Sequence, residues 1–216
     1  MVPLLKKSNL DKSEINNYRP VSILSFISKI IERVVARQFF NYLNHNDLIH
    51  VYQSGHRQFH STETALLQIL SVLFAAVDAQ NASLLAFLDM GAALDCVDHD
   101  ILLKRLDNSF GVTGTVALWF KSYLNDRTRQ VLFKNKFSEV DVINSGVPKG
   151  SFFGPILFLL YTSDVFKIID KFGFVGHGLL MIFMLLSPVH LMSLKVQLIS
   201  LLFVCQGLNF GRRRTM

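Results

Sequence analysis

Apolar positions recur three or four residues apart along the first part of the chain, at Ile27, Ile30, Ile31, Val34, Val35, Phe39 and Leu43, with Lys29, Glu32, Arg33 and Arg37 between them. That period predicts an amphipathic helix beginning near Phe26. Residues 64–77 read as a second helix, apolar over much of its surface. Residues 83–88 form a short apolar run ending at Asp89, and its length and flanks predict a buried strand. Asp98 or Asp100 can cap a further helix through Leu106. Another helix is expected over about residues 115–124. Residues 129–134 and 137–143 read as a hairpin turning at Asn135-Lys136. Residues 145–154 hold Gly146, Gly150, Gly154 and Pro148 and predict a constrained loop. Residues 155–166 follow as a helix, with Pro155 suited to its first turn. Residues 1–24 are polar and irregular, and no internal repeat or low-complexity linker is visible. Helices around a few short strands predict an α+β domain.

Composition changes this picture little until it is divided along the chain. The sequence has 216 residues, is 50% hydrophobic and carries 19 Phe, enough for a sizeable core and unlike a disordered chain. Its two cysteines, Cys96 and Cys205, are far apart and match neither metal-ligand spacing nor a disulfide framework, which fits a reduced, intracellular setting. The net charge is +6, yet no acid follows Asp170, while Lys171, Lys195, Arg212, Arg213 and Arg214 do. The basic balance therefore belongs to the last part of the chain and argues only weakly for nucleic acid. Residues 2–7 are too short and too charged for a secretory signal. Residues 178–208 carry Lys195 as their one charged side chain and, taken alone, make a membrane-span candidate.

Asp89 is the sharpest chemical feature, a carboxylate where a chain leaves a sheet. It can be a turn or capping aspartate. It can also be a ligand for a hard cation such as Mg²⁺, which takes one or two carboxylates plus substrate phosphates. Nucleotidyl transfer by two such ions requires carboxylates converging from different segments.

Five segments bear on that choice. They are Asn17-Tyr18-Arg19-Pro20-Val21-Ser22; Gln53-Ser54-Gly55-His56-Arg57 with His60 to Leu66; Phe87-Leu88-Asp89-Met90-Gly91-Ala92-Ala93-Leu94-Asp95-Cys96-Val97-Asp98-His99; Trp119 to Leu124; and Ser145-Gly146-Val147-Pro148-Lys149-Gly150-Ser151 with Gly154-Pro155. In this order and spacing, over about residues 2–178, they resemble the motifs of reverse transcriptases of non-LTR (LINE-type) retrotransposons. The resemblance implies the fingers and part of the palm of a right-hand polymerase, with helices packed on a short, mainly antiparallel sheet. It implies residues 1–80 as a fingers-like helical part and residues 81–178 as a partial palm. The implied activity is RNA-templated DNA synthesis, with an RNA template, a DNA primer, a deoxynucleoside triphosphate and Mg²⁺ as partners. Asp89 would be the catalytic carboxylate and first metal ligand, with the Met90 carbonyl beside it. Arg57 would meet the incoming triphosphate, as its fork of donors suits, although it also reads as a solvated loop arginine. Leu94 occupies the place of an aromatic gate against the nucleotide sugar, or is simply a core leucine. Pro148, Gly150 and Ser151 would form the loop beneath the nascent base pair.

The chain departs from the family where the next palm motif, aromatic-Ala-Asp-Asp on a tight hairpin, should supply the other carboxylates. Leu179-Leu180-Met181-Ile182-Phe183 stands there instead. Codons GGT, TTG, CTG, ATG and AT for residues 178–182, read from the last base of the glycine codon, give TTT GCT GAT GAT, which encodes Phe-Ala-Asp-Asp. One lost base near Gly178 accounts for the change, and residues 179–216 are then an out-of-frame hydrophobic tail. His56, Phe59, Lys149 and Leu94 also depart from the family's aromatic, glycine, glutamine and aromatic residues. The expectation is a catalytically inactive reverse transcriptase fragment, with Mg²⁺ weakly held or absent and a strand pair of the palm sheet incomplete. The alternatives are a non-catalytic nucleic-acid-binding remnant and a membrane-associated protein using the tail.

Overall fold

The computed structural model describes residues 1–90, 93–179 and 182–189, the last of these as backbone. In chain order the elements are β1 (Val2–Leu5), β2 (Tyr18–Val21), α1 (Phe26–His45), α2 (Thr62–Asp78), β3 (Ala82–Asp89), α3 (His99–Phe110), α4 (Gly114–Leu124), β4 (Thr128–Arg129), β5 (Leu132–Phe133), β6 (Lys136–Phe137), β7 (Asp141–Val142), α5 (Phe153–Tyr161), α6 (Asp164–Lys171), β8 (Val175–Leu179) and β9 (Ile182–Val189). They fall into two compact units, each built from two stretches of chain: residues 1–46 with 94–161, and residues 47–93 with 162–216.

In the first unit, α1 starts at Ser25, whose hydroxyl accepts the Ser28 N–H. Its face orientation corrects the sequence reading. Ile27, Ile30, Ile31 and Val34 are 69%, 47%, 49% and 53% exposed, while Glu32, Ala36, Phe39 and Leu43 form the buried stripe. The cause is that Phe39 anchors the helix in an aromatic cluster. Its ring lies 5.1 Å from Phe120 and 6.5 Å from Phe153, and Phe120 meets Phe153 edge-on at 5.6 Å. Residues one and two turns earlier on that same face must then be inside, and one of them is Glu32. Asp98 caps α3 by accepting the Asp100 and Ile101 N–H groups. The 129–143 segment makes two short ladders, β4 with β7 and β5 with β6. The turn comes one residue earlier than expected: Phe133 pairs with Lys136, so Lys134 and Asn135 form the loop, at φ +47° and +61°. Two positive φ values are what a two-residue hairpin of the right twist requires.

In the second unit the sheet order is β3-β9-β8, all antiparallel. Asp89 pairs with Ile182 at one end of the ladder and Ala82 with Val189 at the other. The expected incomplete strand pair is therefore corrected. Strand pairing is made by backbone groups, so the mainly apolar β9 forms it without any carboxylate. β3 is not the fully buried strand expected. Leu84, Ala86 and Leu88 pack against Val165, Phe166, Ile169 and Phe174, whereas Phe87 is 63% exposed. Such alternation is the mark of a sheet with one open face. The helix expected over residues 155–166 is two helices, α5 and α6, parted at Thr162-Ser163. Part of the candidate membrane span, Ile182–Val189, is strand, and residues 180, 181 and 190–216 lie outside the described ones. Among the described residues no helix is long and apolar enough to cross a membrane.

Candidate active site

Asp89 ends β3 with its side chain on the exposed face, because every second residue of the strand points that way. Met90 follows it and turns back against the cluster of Val165, Phe166, Ile169 and Phe174. The cross-strand partner of Asp89 is Ile182, and β8 and β9 close through Leu179 and Ile182. No Asp or Glu occurs after Asp170, so this hairpin offers Asp89 no carboxylate. Among the described residues no group of three His, Cys, Asp or Glu side chains could hold a metal ion.

Arg57 belongs to the same unit, in the loop between α1 and α2. Its guanidinium donates from Nη1 to the carbonyls of His50 and Val51, both at 3.3 Å, and so is half-buried along its own loop. That loop is tied to β8 through Gly178. The Gly178 carbonyl accepts the N–H of Ser54 at 2.9 Å, the N–H of Gly55 at 3.2 Å and Gln53 Nε2 at 3.2 Å, while its own N–H donates to Tyr52 O at 3.0 Å. A Cβ at Gly178 would collide with the Gln53 side chain and with Phe166. The departures at His56 and Phe59 both fall at left-handed backbone, φ +55° and +63°. Phe59 thus takes, where a glycine is usual, a conformation that only glycine adopts freely.

Leu94, Pro148, Gly150 and Ser151 lie in the first unit, and here the structure brings the expected residues together. Leu94 O accepts the Val147 N–H at 2.8 Å, Val97 O accepts the Gly146 N–H at 2.7 Å, and His99 Nε2 meets Gly146 O at 2.8 Å. Gly146 has φ +86°, and a Cβ there would lie 3.0 Å from the Asp95 Cα and from the carbonyls of Leu94 and Asp95. The loop is thus zipped onto residues 94–99. Leu94 is half-buried against it, and Asp89 and Leu94 fall in different units. The Ser151 N–H donates to Pro148 O at 3.1 Å, and its hydroxyl accepts the Gly154 N–H at 2.7 Å, which starts α5. Gly150 is exposed at φ +98°. Lys149, the glutamine position, makes a 2.5 Å ion pair with Asp95.

Sequence reasoning missed Glu32, His99 and the Asp95–Lys149 pair. Only Glu32 left a signal, a charge at a position spaced by helical turns from Phe39 and Leu43. It is 1% exposed. Its oxygens accept the Phe152 N–H at 2.7 Å, the Tyr123 hydroxyl at 3.2 Å and the Ser28 hydroxyl at 3.4 Å. Burial pushes the Tyr123 phenol up, which keeps it a donor.

Residues 5–185 match the family of reverse transcriptases (RNA-dependent DNA polymerases). The chain belongs to the reverse transcriptase family. It is 32% identical over 162 residues to a probable RNA-directed DNA polymerase from transposon BS of Drosophila melanogaster, covering 75% of this chain and 18% of that protein. It is 30% identical over 162 residues to the RNA-directed DNA polymerase from mobile element jockey of Drosophila melanogaster, with the same coverage of 75% and 18%. The chain thus spans 18% of the length of these curated relatives. A truncated apo telomerase from Candida tropicalis shares the fold, with a TM-score of 0.60 at 16% identity, covering 83% of this chain and 37% of that one. The resemblance to non-LTR reverse transcriptases, and the expected helices on a short antiparallel sheet, are borne out.

Reverse transcriptases use divalent metal ions, and the residues present do not fit that requirement. Asp89 is one exposed carboxylate opposite Ile182. Two hard cations need several oxygen ligands converging from more than one segment. Where the family's sequence motif should supply them, the sequence reads Leu179, Leu180, Met181 and Ile182, all apolar.

Proposed function

We propose that this reverse transcriptase segment holds an RNA template paired with a DNA primer but does not extend it. The register that sets Asp89 opposite Ile182 carries this reading. The strand pair stands where the partner carboxylates are expected, and its sequence holds none. On this reading Asp89, with the Met90 carbonyl, is what is left of a metal site, and Mg²⁺ binds there weakly or not at all. Pro148, Gly150 and Ser151 lie beneath the terminal base pair, supported by a loop whose backbone is fixed at both ends. Leu94 borders the nucleotide sugar. Arg57 offers its remaining donors to the triphosphate of a deoxynucleotide, while one nitrogen stays on the His50 and Val51 carbonyls. Residues 1–80 act as fingers and residues 81–178 as a partial palm, and residues 179–216 are the product of a shifted reading frame.

The test compares the chain with a repaired variant carrying Leu179→Phe, Leu180→Ala, Met181→Asp and Ile182→Asp. Binding of a fluorescent RNA–DNA hybrid is measured by anisotropy, and binding of Mn²⁺, a spectroscopic stand-in for Mg²⁺, by electron paramagnetic resonance. Both proteins should bind hybrid. The repaired variant should bind Mn²⁺ at least about tenfold more tightly, as expected when a second and third carboxylate join a hard-cation site. Asp89→Asn should abolish that gain. Primer extension by the unrepaired chain that disappears with Asp89→Asn would overturn the reading.

A further inference from the structure

Glu32 is a buried charge with a defined set of partners. Taking a carboxylate out of water is costly unless its oxygens are bonded, and this one sits 1% exposed on the inner stripe of α1. Oε2 accepts the Phe152 N–H at 2.7 Å. Oε1 accepts the hydroxyl of Tyr123, on α4, at 3.2 Å. Phe152 is the residue between Ser151 and α5. A helix leaves its first N–H groups without internal partners, and negative charge is favourable there. The next residue of α1 holds the same target from another side, with the Arg33 guanidinium 4.6 Å above the Phe152 ring. Upstream, Ser22 donates its N–H to Lys149 O at 3.1 Å. A short stretch of chain, Ser22 to Arg33, therefore fastens the Pro148–Phe152 loop at both ends.

We propose that Glu32 is a positioning residue: it fixes the placement of the Pro148–Phe152 loop and thereby sets the affinity of this chain for an RNA–DNA hybrid. The proposal rests on the reading of that loop as the floor beneath the base pair. Glu32 does not touch nucleic acid. Removing its carboxylate leaves the Phe152 N–H and the Tyr123 hydroxyl without their acceptor, so the loop is free to shift while the aromatic cluster behind it stays packed.

The experiment uses the full chain as wild type, Glu32→Ala, Glu32→Gln, Glu32→Asp and Tyr123→Phe. Amide exchange at Phe152 and Gly154 reports the loop, and anisotropy of a labelled hybrid reports affinity. In Glu32→Ala, exchange at both amides should accelerate, and hybrid affinity should fall about tenfold, the scale of one lost charge-assisted contact. Glu32→Gln keeps an acceptor for Phe152 and should stay within about threefold of wild type. Tyr123→Phe leaves the Phe152 bond in place and should do the same. Glu32→Asp draws the carboxylate back by one methylene, and carries the test if the alanine variant does not fold. Freed amides with unchanged hybrid affinity would reduce Glu32 to a structural cap and overturn the proposal. Unchanged exchange would overturn it at its first step. A wild-type chain that binds no hybrid would instead overturn the functional reading, and with it the effect on affinity, while exchange still decides whether Glu32 holds the loop.

Discussion

Replacing Gly146 with alanine tests whether the 145–151 loop is built against residues 94–98. Two costs arise. The backbone is at φ +86°, where a residue with a Cβ pays roughly 1–2 kcal/mol. The new Cβ would also lie 3.0 Å from the Asp95 Cα, Asp95 O and Leu94 O. These are backbone atoms, so relief requires the two segments to part. Parting them weakens the 2.7 Å bond from Gly146 N–H to Val97 O and the 2.8 Å bond from Val147 N–H to Leu94 O, each worth about 0.5–1.5 kcal/mol net. The sum is a loss of about 2–5 kcal/mol, offset by roughly 0.4–1 kcal/mol because alanine stiffens the unfolded chain. Gly114 is the control. It has φ +58°, and a Cβ added there would meet nothing within 4 Å, so Gly114→Ala carries the strain without the clash and should cost about 1 kcal/mol or less. Urea midpoints followed by circular dichroism measure both. Equal losses in the two variants would refute the argument that the loop is packed against backbone.

Three further outcomes follow from single residues. Phe59→Gly should stabilise the chain by up to about 1 kcal/mol, because the φ +63° strain is relieved and a ring 90% exposed leaves no packing behind; a lower urea midpoint would mean that the ring has a packing role. Lys149→Ala should cost no more than about 1 kcal/mol, since the 2.5 Å pair with Asp95 is partly exposed and solvent-screened; a larger loss would make this pair a principal clamp of the loop. Burial, then neighbouring His50, pushes the His177 imidazole below its ordinary 6.5. Both of its ring nitrogens are buried without a hydrogen bond among the described residues, beside the Tyr52 ring at 4.7 Å. The unfolded chain takes up the proton first, so stability should be full above 6.5 and decline as pH falls below it. His50, itself lowered by burial and paired with Asp170, adds in the same direction. Urea midpoints at about pH 7.5 and about pH 5.5 measure the slope, which His177→Gln should reduce.

Local pattern made the elements legible, and long-range packing decided what it could not. The Asp98 cap and the loop from Ser145 to Gly154 are written in short-range chemistry. The face of α1 is not. Its N-terminal half is apolar on one side and carries Glu32 on the other, and only the rings of Phe120 and Phe153, far along the chain, choose between them. The run before Asp89 is apolar on both faces, so sequence alone could not tell a buried strand from a half-open one. The break at Thr162-Ser163 falls at a polar Thr-Ser-Asp step after the apolar run, a helix-start signal the longer helical reading passed over, and Val165 N–H there bonds Thr162 O at 2.9 Å as the helix restarts. At the candidate site, resemblance named residues on both units, yet the groups that fix the loop, Glu32 and His99, act through partners 120 and 47 residues away.

The hairpin of β8 and β9 separates fold from chemistry. Its register with β3 is made by peptide groups, so residue 182 stands opposite Asp89 whatever its side chain. A likeness of fold to a telomerase therefore carries no information about catalysis here. Chance loss of an acidic pair by separate substitutions would leave neighbouring residues family-like. A lost base instead replaces every residue downstream, which matches a stretch without a single Asp or Glu from Leu179 to Met216. On the proposed reading strand pairing survives such a change because Ile182 and Phe183 favour a strand and Met184, Leu185 and Leu186 are apolar. The coding DNA should accordingly read aromatic-Ala-Asp-Asp when translated from the last base of the Gly178 codon, with that frame remaining open. A frame that lacks the motif would mean that the apolar hairpin arose residue by residue, and the shifted-frame origin of residues 179–216 would have to be abandoned.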